Sequence, residues 1–567
     1  MTEMQLYTRW LSQQMDDPDL AVELKDIQGN EEEIHDRFYR ELEFGTAGLR
    51  GVIGAGTNRM NIYTVRRATQ GLADYINEKY QSPKIAIAYD SRIKSDLFAR
   101  EAAAVLAANG IHVYLYSELM PTPMLSFAVR ELKCQSGIVV TASHNPSKYN
   151  GYKVYGDDGC QMTSESANAV LAKINAVDIF DGVKTQSFQS CLEQGTVEYI
   201  SQEVIDSFLQ HVMSQQVNPE AARKAGLKVV YTPLNGTGNK PVRKILEMMG
   251  ITNVAVVPEQ ENPDGNFPTC PYPNPEIKQA LEKGIELCES LSYDMLLATD
   301  PDADRVGIAV KHNGDYVLLT GNEVGALLLD YIAKNRIEKG TMPKDPITVK
   351  TIVTTKLIDA IAKSYGVQVV NVLTGFKYIG EQILLLERKN EKQRYIFGFE
   401  ESYGYLSGTY VRDKDAVNGS LLICEMASYY KLQGKTLVDA LNELYAKHGI
   451  FIDTQQSFAF EGSEGMEKMK AIMDGLRQKG IASIAGKPVV YTADYQTSVK
   501  SSADGQEVIH LPKSNVLEYG LQGASVIVRP SGTEPKIKIY YSIQGSTREE
   551  AQALLDAIKA DMAQYMK

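Results

Sequence analysis

Apolar and polar residues follow one another in blocks along this chain, and the blocks predict strands and helices in alternation. From Lys84, KIAIAYDSR predicts a strand, DLFAREAAAVLAANG a helix that ends at Gly110, and IHVYLYS a second strand. PTPMLSFAVRELKCQSG and GIVVTAS then predict another helix and another strand. The strands are apolar almost throughout, which is typical of a sheet covered by helices on both faces.

The same alternation begins again twice further along the chain. A second unit starts at GLKVVYTPLNGTG and reaches YDMLLATDPDADR, and a third starts at PITVKTIVTT and reaches RYIFGFEESYGY. In each unit a β-rich run leads into a polar segment that we expect to be a loop: TASHNPSKYNG, TDPDADR and GFEESYGY. Ligands of open α/β sheets bind beyond the carboxyl ends of the strands, so these loops are the expected functional sites.

After about Phe451 the pattern changes to that of a smaller α+β domain. It predicts a helix (SEGMEKMKAIMDGLRQKG), several short strands and a final helix (TREEAQALLDAIKADMAQYM). A chain of 567 residues is too long for one hydrophobic core. We therefore expect three mixed α/β domains in tandem at residues 1–205, 206–325 and 326–449, and a smaller C-terminal α+β domain at residues 450–567, with the N-terminal 40 or so residues as helices added to the first unit.

Charge and cysteine usage narrow the class of protein. The net charge of −12 argues against nucleic acid or a membrane surface as a general partner, although a local basic cluster can still bind an anionic substrate. No apolar run approaches the roughly 20 residues that span a bilayer, and the first residues lack the apolar core of a secretory signal. The 6 cysteines include no C-x-x-C pair, which indicates reduced thiols in a cytoplasm rather than disulfides or a zinc site.

Three aspartates stand at every second position after the apolar run DMLLA: Asp300, Asp302 and Asp304. Alternate residues of an extended segment point to one side, so the three carboxylates are expected to converge, and a hard divalent cation would relieve their repulsion. A calcium EF-hand is excluded, because Arg305 and Lys311 stand where that loop needs glycine and glutamate. Mg²⁺ is the favoured ion, since three carboxylates leave positions for water and a phosphate oxygen; a solvated acidic turn is the alternative.

The first polar loop contains a serine next to a histidine, Ser143 and His144. This is not the pattern of a hydrolase, because neighbours on a strand point apart and G-x-S-x-G is absent. A helix cap or turn is the ordinary role of such a serine. The basic residues nearby, Lys148 and Lys153, and the Gly-rich segment GTAGLRG with Arg50, favour phosphoryl transfer instead. Walker A and dinucleotide-binding patterns are absent.

Two further polar turns are candidates for contacts with a ligand. RPSGTEPK offers almost only hydrogen-bond donors, which suits a phosphate group, although many hairpin turns have a similar composition. In the third unit, the adjacent Glu400 and Glu401 of GFEES predict either a solvated turn or carboxylates that bind adjacent sugar hydroxyls.

Five segments in this order, GTAGLRG, TASHNP with NGYK, DPDADR, GFEESYGY and RPSGTEPK, resemble the motifs of the α-D-phosphohexomutases, the family that includes phosphoglucomutase and phosphomannomutase. The set is far more specific than any one member, and it spans most of the chain. The resemblance implies domains arranged around a central active-site cleft. It also implies an intramolecular phosphotransferase that acts on small sugar phosphates with Mg²⁺ and a phosphoserine, and with glucose 1,6-bisphosphate as activating intermediate.

The same resemblance implies a role for each matching position. Ser143 would carry the phosphoryl group and bind the metal together with Asp300, Asp302 and Asp304. Arg50 and Lys153 would flank that group, with Lys153 as a candidate acid/base and His144 as a phosphate or hydrogen-bonding contact. The substrate would be bound by Arg305, Thr374, Gly375, Lys377, Glu400 and Ser402, and by Arg529, Ser531, Gly532, Thr533 and Lys536 of the turn that anchors the second phosphate.

One departure bears on the choice of sugar. Dual-specificity phosphomannomutase-type members carry a histidine shortly after Glu-x-Ser, where this chain has Gly404. Instead VRDKDAV resembles a segment of phosphoglucomutase-type members, which implies Lys414 as a second acid/base or sugar contact. The expected reaction is therefore between glucose 1-phosphate and glucose 6-phosphate.

Alternatives to that reaction are left open. GFEESYGY, TGFKYIG and SGTEPKIK also resemble the branch with phosphopentomutase and glucose-1,6-bisphosphate synthase, so pentose phosphates are an alternative, and mannose phosphates are a weaker one. A non-catalytic phosphosugar-binding protein would need only the two phosphate loops, and a phosphatase would have no use for a second anchor. The sequence does not distinguish a monomer from a homodimer.

Overall fold

The computed structural model describes residues 1–45, 48–460, 465–531 and 535–566, and these residues form four β-sheets that follow one another along the chain. We refer to the parts of the chain that contain them as unit I (residues 3–213), unit II (219–319), unit III (321–448) and unit IV (450–562). The predicted fold class, three mixed α/β domains and a smaller α+β domain, is confirmed. The strands of each sheet lie within one predicted domain, whose precise limits stay a prediction.

Unit I is a mixed sheet covered by helices. Its strands are β1 (Gly48–Val52), β2 (Lys84–Tyr89), β3 (His112–Leu115), β4 (Ser136–Val140), β5 (Tyr149–Gly156) and β6 (Val197–Tyr199). Its helices are α1 (Glu3–Leu11), α2 (Pro18–Asp26), α3 (Glu31–Phe38), α4 (Ile62–Lys79), α5 (Ser95–Ala108), α6 (Thr122–Glu131), α7 (Ser164–Ala176), α8 (Phe188–Glu193) and α9 (Gln202–Met213). The strand order is β1-β5-β4-β2-β3-β6, with β5 antiparallel to both of its neighbours.

Unit II repeats this plan with fewer elements. Its strands are β7 (Lys228–Thr232), β8 (Asn253–Val256), β9 (Met295–Thr299), β10 (Val306–His312) and β11 (Asp315–Leu319). Its helices are α10 (Pro219–Lys224), α11 (Asn239–Met249), α12 (Pro258–Glu261) and α13 (Lys278–Leu291). The strand order is β11-β10-β9-β7-β8, with β9, β7 and β8 parallel and β10 and β11 antiparallel.

Unit III is built around a shorter sheet of the same kind. Its strands are β12 (Ile347–Thr351), β13 (Gln368–Val372), β14 (Tyr395–Glu400) and β15 (Gly404–Leu406), in the order β13-β12-β14-β15. Its helices are α14 (Gly321–Glu338), α15 (Leu357–Tyr365), α16 (Phe376–Arg388), α17 (Ala416–Lys431) and α18 (Leu437–His448). β12 is parallel to β13 and β14, and β15 is antiparallel.

Unit IV is an antiparallel sheet with two helices among its described residues. Its strands are β16 (Ile450–Ala459), β17 (Ser483–Ile484), β18 (Lys487–Asp494), β19 (Val499–Ser502), β20 (Gly505–Val508), β21 (Leu517–Leu521), β22 (Ala524–Pro530) and β23 (Lys536–Gly545). Its helices are α19 (Gly465–Lys479) and α20 (Arg548–Met562). The strand order is β16-β23-β22-β21-β18-β19-β20, and the polar turn RPSGTEPK joins β22 to β23.

Units I to III share one arrangement of two strands and the polar loop between them, which we call a corner. A strand that is parallel to its neighbour enters a polar loop, and the chain returns as an antiparallel strand: β4 to β5, β9 to β10, and β14 to β15. In each loop one non-glycine residue has a left-handed backbone, with φ of 54° at Ser143, 48° at Ala303 and 66° at Tyr403. Few non-glycine residues adopt this conformation. The three loops singled out in the sequence therefore occupy corresponding places in their units.

Apolar packing joins units I to III and leaves unit IV more separate. One cluster of buried side chains contains Phe208 of unit I, Tyr231 of unit II and Tyr405 of unit III. Unit IV has its own core, and a smaller cluster, which includes Val353 and Tyr495, packs it against unit III. Among the described residues, no helix combines the length and the apolar character that a membrane span requires.

The N-terminal helices contribute to the core of unit I, although the sequence suggested an added layer. Trp10 of α1 is 0% exposed. Its ring meets those of Phe38, Tyr63 and Phe180 edge-on, with centroids 6.0, 5.7 and 5.2 Å away. Pairs of aromatic rings in this arrangement stabilise a core beyond the area that they bury.

We expect Trp10→Ala to lower the free energy of unfolding of unit I by about 3–5 kcal/mol, because it leaves a cavity among three aromatic rings. Urea unfolding followed by far-ultraviolet circular dichroism measures this change. Tyr199→Ala is the control, since that ring is 51% exposed and its loss should cost less than about 0.5 kcal/mol. Equal unfolding midpoints for the two variants would contradict the role given to Trp10.

Candidate active site

The three predicted aspartates lie together in the interior. Asp300 and Asp302 are 0% exposed and Asp304 is 1% exposed. One carboxylate oxygen from each lies within 4.8 Å of those of the other two. The loop after β9 folds around Asp300, whose Oδ1 accepts hydrogen bonds from the backbone N–H of Asp304 and Arg305 at 3.1 and 3.0 Å. The alternating spacing thus produces the convergence that was expected from it.

Lysines from two other units offset part of this negative charge. Lys153, on β5 of unit I, donates a hydrogen bond to Asp302 Oδ2 at 3.1 Å. Lys414, just before α17 of unit III, has its Nζ 2.8 Å from Asp304 Oδ2. Burial alone would raise the pKa of Asp302, but the ammonium groups of these lysines lower it below the usual range. Conversely, the carboxylates of Asp304 and Asp413 raise the pKa of Lys414 in spite of its burial.

The negative charge that the lysines do not offset, and the aspartate oxygens that accept no hydrogen bond, fit a metal ion. Burial, and then the charges of the other two aspartates, raises the pKa of Asp300 well above its ordinary value. Oδ1 of Asp302 and Oδ1 of Asp304 are buried and accept no hydrogen bond. A buried polar atom without a partner is costly, and carboxylate oxygens are the preferred ligands of hard divalent cations. The group could therefore hold such a cation.

Ser143 lies directly against this group. It is 4% exposed, and its Oγ donates a hydrogen bond to Asp300 Oδ2 at 2.9 Å. Its backbone N–H donates to Thr141 Oγ1 at 2.7 Å, which helps to hold the left-handed turn. The predicted carrier of the phosphoryl group and the predicted metal ligands therefore meet, although they come from different units.

Positive and polar groups surround the serine. His144 Nδ1 is 3.2 Å from Ser143 Oγ, so these two side chains do not point apart as was expected, because the backbone at Ser143 is left-handed and not extended. Removal from water, followed by the charges of Arg305 and Arg50, lowers the pKa of this imidazole well below its usual value. The ring is therefore neutral near pH 7. Arg305 forms an ion pair with Glu276. Arg50 is exposed on β1, where it lies opposite Gly151 of β5.

The sugar-binding prediction falls on two segments of unit III that the structure brings together. Oε1 of Glu400, at the end of β14, accepts a hydrogen bond from the backbone N–H of Gly375 at 2.9 Å. Gly375 has φ of 123°, which favours glycine. Thr374 Oγ1 is buried without a hydrogen-bond partner, which suits a ligand contact. Ser402 lies in the loop after β14, and burial lowers the pKa of Lys377, near the start of α16.

The predicted phosphate anchor lies between β22 and β23 of unit IV. Arg529 is in β22, and the backbone N–H of Ser531 donates to the carbonyl of Lys536 at 2.7 Å. Gly532 and Thr533 lie outside the described residues. The Arg529 guanidinium is near enough to Tyr378 of α16 to lower the pKa of that phenol, against the larger effect of burial. Arg529 therefore lies near α16, the helix that begins directly after Gly375.

Sequence reasoning missed Thr122, the first residue of α6. Its backbone N–H donates to the carbonyl of Asp302 at 2.9 Å, and its Oγ1 donates to Asp302 Oδ2 at 3.0 Å. The segment PTPMLSF was interpreted only as the start of a helix. Nothing in its composition indicates a partner 180 residues away.

The structure also explains why a glycine stands at position 404. A Cβ on Gly404 would lie 2.3 Å from Cδ of Lys414, far closer than real contacts allow. The lysine side chain therefore runs through space that any other residue at 404 would fill. A neighbouring hydrogen bond, from Tyr155 Oη to Asp413 Oδ2 at 2.6 Å, ties the segment before α17 to β5 of unit I.

Comparisons with known proteins agree with this arrangement. Four family models match in order: phosphoglucomutase/phosphomannomutase alpha/beta/alpha domain I at residues 41–179, domain II at 206–314, domain III at 320–448, and the C-terminal domain at 489–560. A phosphoglucomutase of Staphylococcus haemolyticus (strain JCSC1435) is 37% identical over 516 residues, which cover 90% of this chain and 92% of the relative. One of Staphylococcus aureus (strain USA300) is 38% identical over 534 residues, 94% of this chain and 95% of the relative.

Solved structures show the same fold at lower identity. A phosphoglucomutase/phosphomannomutase family protein from Burkholderia thailandensis is 17% identical, with a TM-score of 0.66 over 92% of this chain and 97% of that chain. The open form of pp63/parafusin, a phosphoglucomutase from Paramecium, is 16% identical, with a TM-score of 0.69 over 93% of this chain and 96% of that chain.

We expect Thr122→Val to weaken binding of a divalent cation by about 10-fold, because residues that orient a ligand carboxylate typically affect metal affinity by 10–100-fold. Titration with Mn²⁺, followed by electron paramagnetic resonance, measures the dissociation constant without any substrate. Thr122→Ser is the matched control, since it keeps the hydroxyl and should bind as the unaltered chain does. Equal constants for the valine and serine variants would contradict this role.

Proposed function

This chain belongs to the phosphoglucomutase/phosphomannomutase family, and from that premise and the geometry of the site we propose that it interconverts glucose 1-phosphate and glucose 6-phosphate. The reaction would pass through phosphorylated Ser143 and a glucose 1,6-bisphosphate intermediate. The observation that carries the proposal is the 2.9 Å contact of Ser143 Oγ with Asp300, inside a group of three carboxylates flanked by lysines from two other units.

Two transfers complete the proposed cycle. First, the bond between phosphorus and Ser143 Oγ breaks as phosphorus bonds to the free hydroxyl of glucose 1-phosphate, and the hydroxyl proton passes to a base. In the second transfer, the bond between the other phosphorus of the bisphosphate and the sugar C1 oxygen breaks as that phosphorus bonds to Ser143 Oγ, and a proton is given to the C1 oxygen. Lys153, which pairs with Asp302, is the proposed acceptor of the hydroxyl proton. Lys414, which pairs with Asp304 and whose pKa the neighbouring carboxylates raise, is the proposed donor of the returning proton. The neutral His144 would serve as a hydrogen-bond partner of Ser143 Oγ.

Mg²⁺ is the proposed cation, held by Asp300, Asp302, Asp304 and the phosphoryl group on Ser143. When bound, it would stabilise the charge that develops on the transferred phosphoryl oxygens. The unpartnered carboxylate oxygens of Asp302 and Asp304 support this assignment. Arg50 would meet the same phosphoryl group from the exposed side of β1.

The second phosphate and the sugar would be held by units III and IV. Arg529, Ser531 and Lys536, together with Gly532 and Thr533, would bind the phosphate that is not reacting. Arg305, Thr374, Gly375, Lys377, Glu400 and Ser402 would bind the sugar and orient it. Because each end of the bisphosphate must react in turn, the two phosphate groups would exchange places between Ser143 and the anchor. A site closed by unit IV would protect the phosphoserine from water.

We propose small sugar phosphates as the partners of this protein and the cytoplasm as its location. A cytoplasmic location agrees with cysteines that are all buried and free of disulfides.

We expect Ser143→Ala to reduce turnover by about 10³-fold or more, even with glucose 1,6-bisphosphate supplied, because the acceptor oxygen is lost. A coupled assay that follows glucose 6-phosphate formed from glucose 1-phosphate measures this. Ser187→Ala, at an exposed serine whose side chain makes no capping hydrogen bond, is the control. Removal of metal with a chelator should abolish turnover, and Mg²⁺ should restore it. Normal turnover of Ser143→Ala would refute the proposal.

The same assay can rank the sugars. Ribose 1-phosphate and mannose 1-phosphate, tested beside glucose 1-phosphate, should give smaller kcat/KM values. A larger value for ribose 1-phosphate would make the protein a phosphopentomutase on the same scaffold. Release of inorganic phosphate at the rate of turnover would indicate a phosphatase instead.

We expect Gly404→Ala to act through Lys414, because the new methyl group displaces the lysine side chain. Alone, Gly404→Ala and Lys414→Met should each lower kcat by about 10²-fold or more, the effect of losing a positioned acid or base. Combined, they should lower it little further than Lys414→Met alone. Gly475→Ala is the matched control, since nothing lies within 4 Å of its Cβ position. Additive losses in kcat would show that the two residues act independently.

A further inference from the structure

An arginine with a fully buried side chain lies beneath the loop that carries Ser143. Nη2 of Arg92 donates a hydrogen bond to the backbone carbonyl of Ser143 at 2.5 Å and another to the carbonyl of Asn145. Nη1 donates to the carbonyls of Pro146 and Tyr149, both at 3.0 Å. One guanidinium group thus binds four backbone oxygens between the serine and the start of β5.

The guanidinium is itself held from two further sides. Its Nε lies 3.4 Å from Oδ2 of Asp90, at the end of β2, and both side chains are 0% exposed. Oδ1 of Asp90 accepts hydrogen bonds from the backbone N–H of Arg92 at 3.0 Å and from Ser95 Oγ at 2.8 Å. The ring of Phe267, from unit II, lies 5.1 Å from the guanidinium carbon. Arg92 therefore connects the serine loop to the sheet of unit I and to unit II.

The arrangement depends on the geometry of an arginine. The backbone at Ser143 is left-handed, with φ of 54°. The carbonyl of Ser143 and those of Asn145 and Pro146 point toward the Arg92 guanidinium. Buried carbonyls need hydrogen-bond partners, and a planar fork with five N–H groups can serve several of them at fixed angles. A lysine ammonium carries the same charge but cannot reproduce that fork. The direction of Ser143 Oγ toward Asp300 therefore depends on this side chain.

We propose that Arg92 is the positioning residue of the phosphoryl-carrying serine: it keeps Ser143 Oγ at the metal-binding carboxylates, and its loss slows phosphoryl transfer without a matching loss of substrate binding. The inference rests on the proposed function and adds to it a residue that touches neither substrate nor metal. Arg92 holds the backbone of the loop by hydrogen bonds. Its charge also interacts with Asp302 and Asp300, and Arg92→Lys keeps that charge while it removes the planar fork. Small displacements of reacting atoms have large effects on rate. Among the described residues, the hydrogen bonds and the ion pair of Arg92 all lie within unit I, so they do not reach the proposed sugar-binding segments of unit III.

The test compares the transfer step with binding in Arg92→Lys. The variant is phosphorylated on Ser143 with labelled glucose 1,6-bisphosphate, and transfer to glucose 1-phosphate is followed in a single turnover. We expect the rate to fall about 100-fold. Calorimetric titration of the dephosphorylated variant should give a dissociation constant for glucose 1-phosphate within about threefold of that of the unaltered enzyme.

Arg59→Lys is the matched control. Arg59 is also buried in unit I, at 7% exposure, where it pairs with Asp36 and donates to the carbonyls of Asp36 and Asn58 at 3.3 and 3.0 Å. It contacts no residue of the serine loop by these bonds, so its replacement should leave the single-turnover rate within about threefold. If Arg92→Lys and Arg59→Lys slowed transfer equally, the effect would be a general one of replacing a buried arginine, and the inference would be wrong.

A second variant covers the case in which Arg92→Lys does not fold, as judged by circular dichroism. Asp90→Asn keeps the size of the side chain and removes the charge that orients the guanidinium, and it should slow transfer about 10-fold. An unchanged transfer rate in a folded Arg92→Lys, or in Asp90→Asn when the first variant is unfolded, overturns the inference. So does a loss of substrate binding equal to the loss of rate. If the unaltered enzyme itself transfers no phosphoryl group, the proposed function fails, which is a different result.

Discussion

Three carboxylates held within 4.8 Å of one another in the interior of a protein repel each other strongly, and the rest of this site is organised around that repulsion. No single unit balances the charge. The aspartates belong to unit II, while Lys153 comes from unit I and Lys414 from unit III. Arg305 of unit II lies farther away, with its Nε 3.8 Å from Asp304 Oδ1, and it is also paired with Glu276. The buried carboxylates therefore still offer a site for a cation, and the two lysines make that site dependent on the correct packing of three units.

That dependence explains why units I to III are joined so closely. The backbone N–H of Val306 donates to the carbonyl of Tyr403 at 3.0 Å, and that of Ala416 donates to the carbonyl of Ala303 at 3.2 Å. These bonds hold the corners of units II and III together, the bonds from Thr122 to Asp302 hold unit I to unit II, and a shared apolar core joins all three units. Unit IV packs against unit III through a smaller apolar cluster, and it adds Phe451 to the large one. This smaller contact suits a part that would hold the far end of a substrate.

Local patterns predicted much of this structure, and contacts between distant residues were the part that they could not supply. Alternating apolar blocks gave the strands and helices, and the spacing of Asp300, Asp302 and Asp304 gave their convergence. The basic residues around Ser143 indicated phosphoryl transfer, and the resemblance to a known family added the role of Ser143 as phosphoryl carrier and the candidate Lys414. Thr122 and Arg92 were missed because the packing of helices and loops determines their partners. The local segments that contain them, PTP and YDSR, do not indicate those partners. The need for glycine at 404 likewise depends on where the side chain of Lys414 runs.

Each corner of units I, II and III contains a residue with a left-handed backbone, and the conformation of the corner does not depend on the type of that residue. The residue with that backbone is a serine in one unit, an alanine in the next and a tyrosine in the third, so the turn does not require any one side chain. The residues proposed to carry a phosphoryl group, to hold a cation and to bind a sugar thus lie in three copies of one bend. Because the bend tolerates different side chains at its left-handed residue, each unit can place a different side chain at the point where the three corners meet.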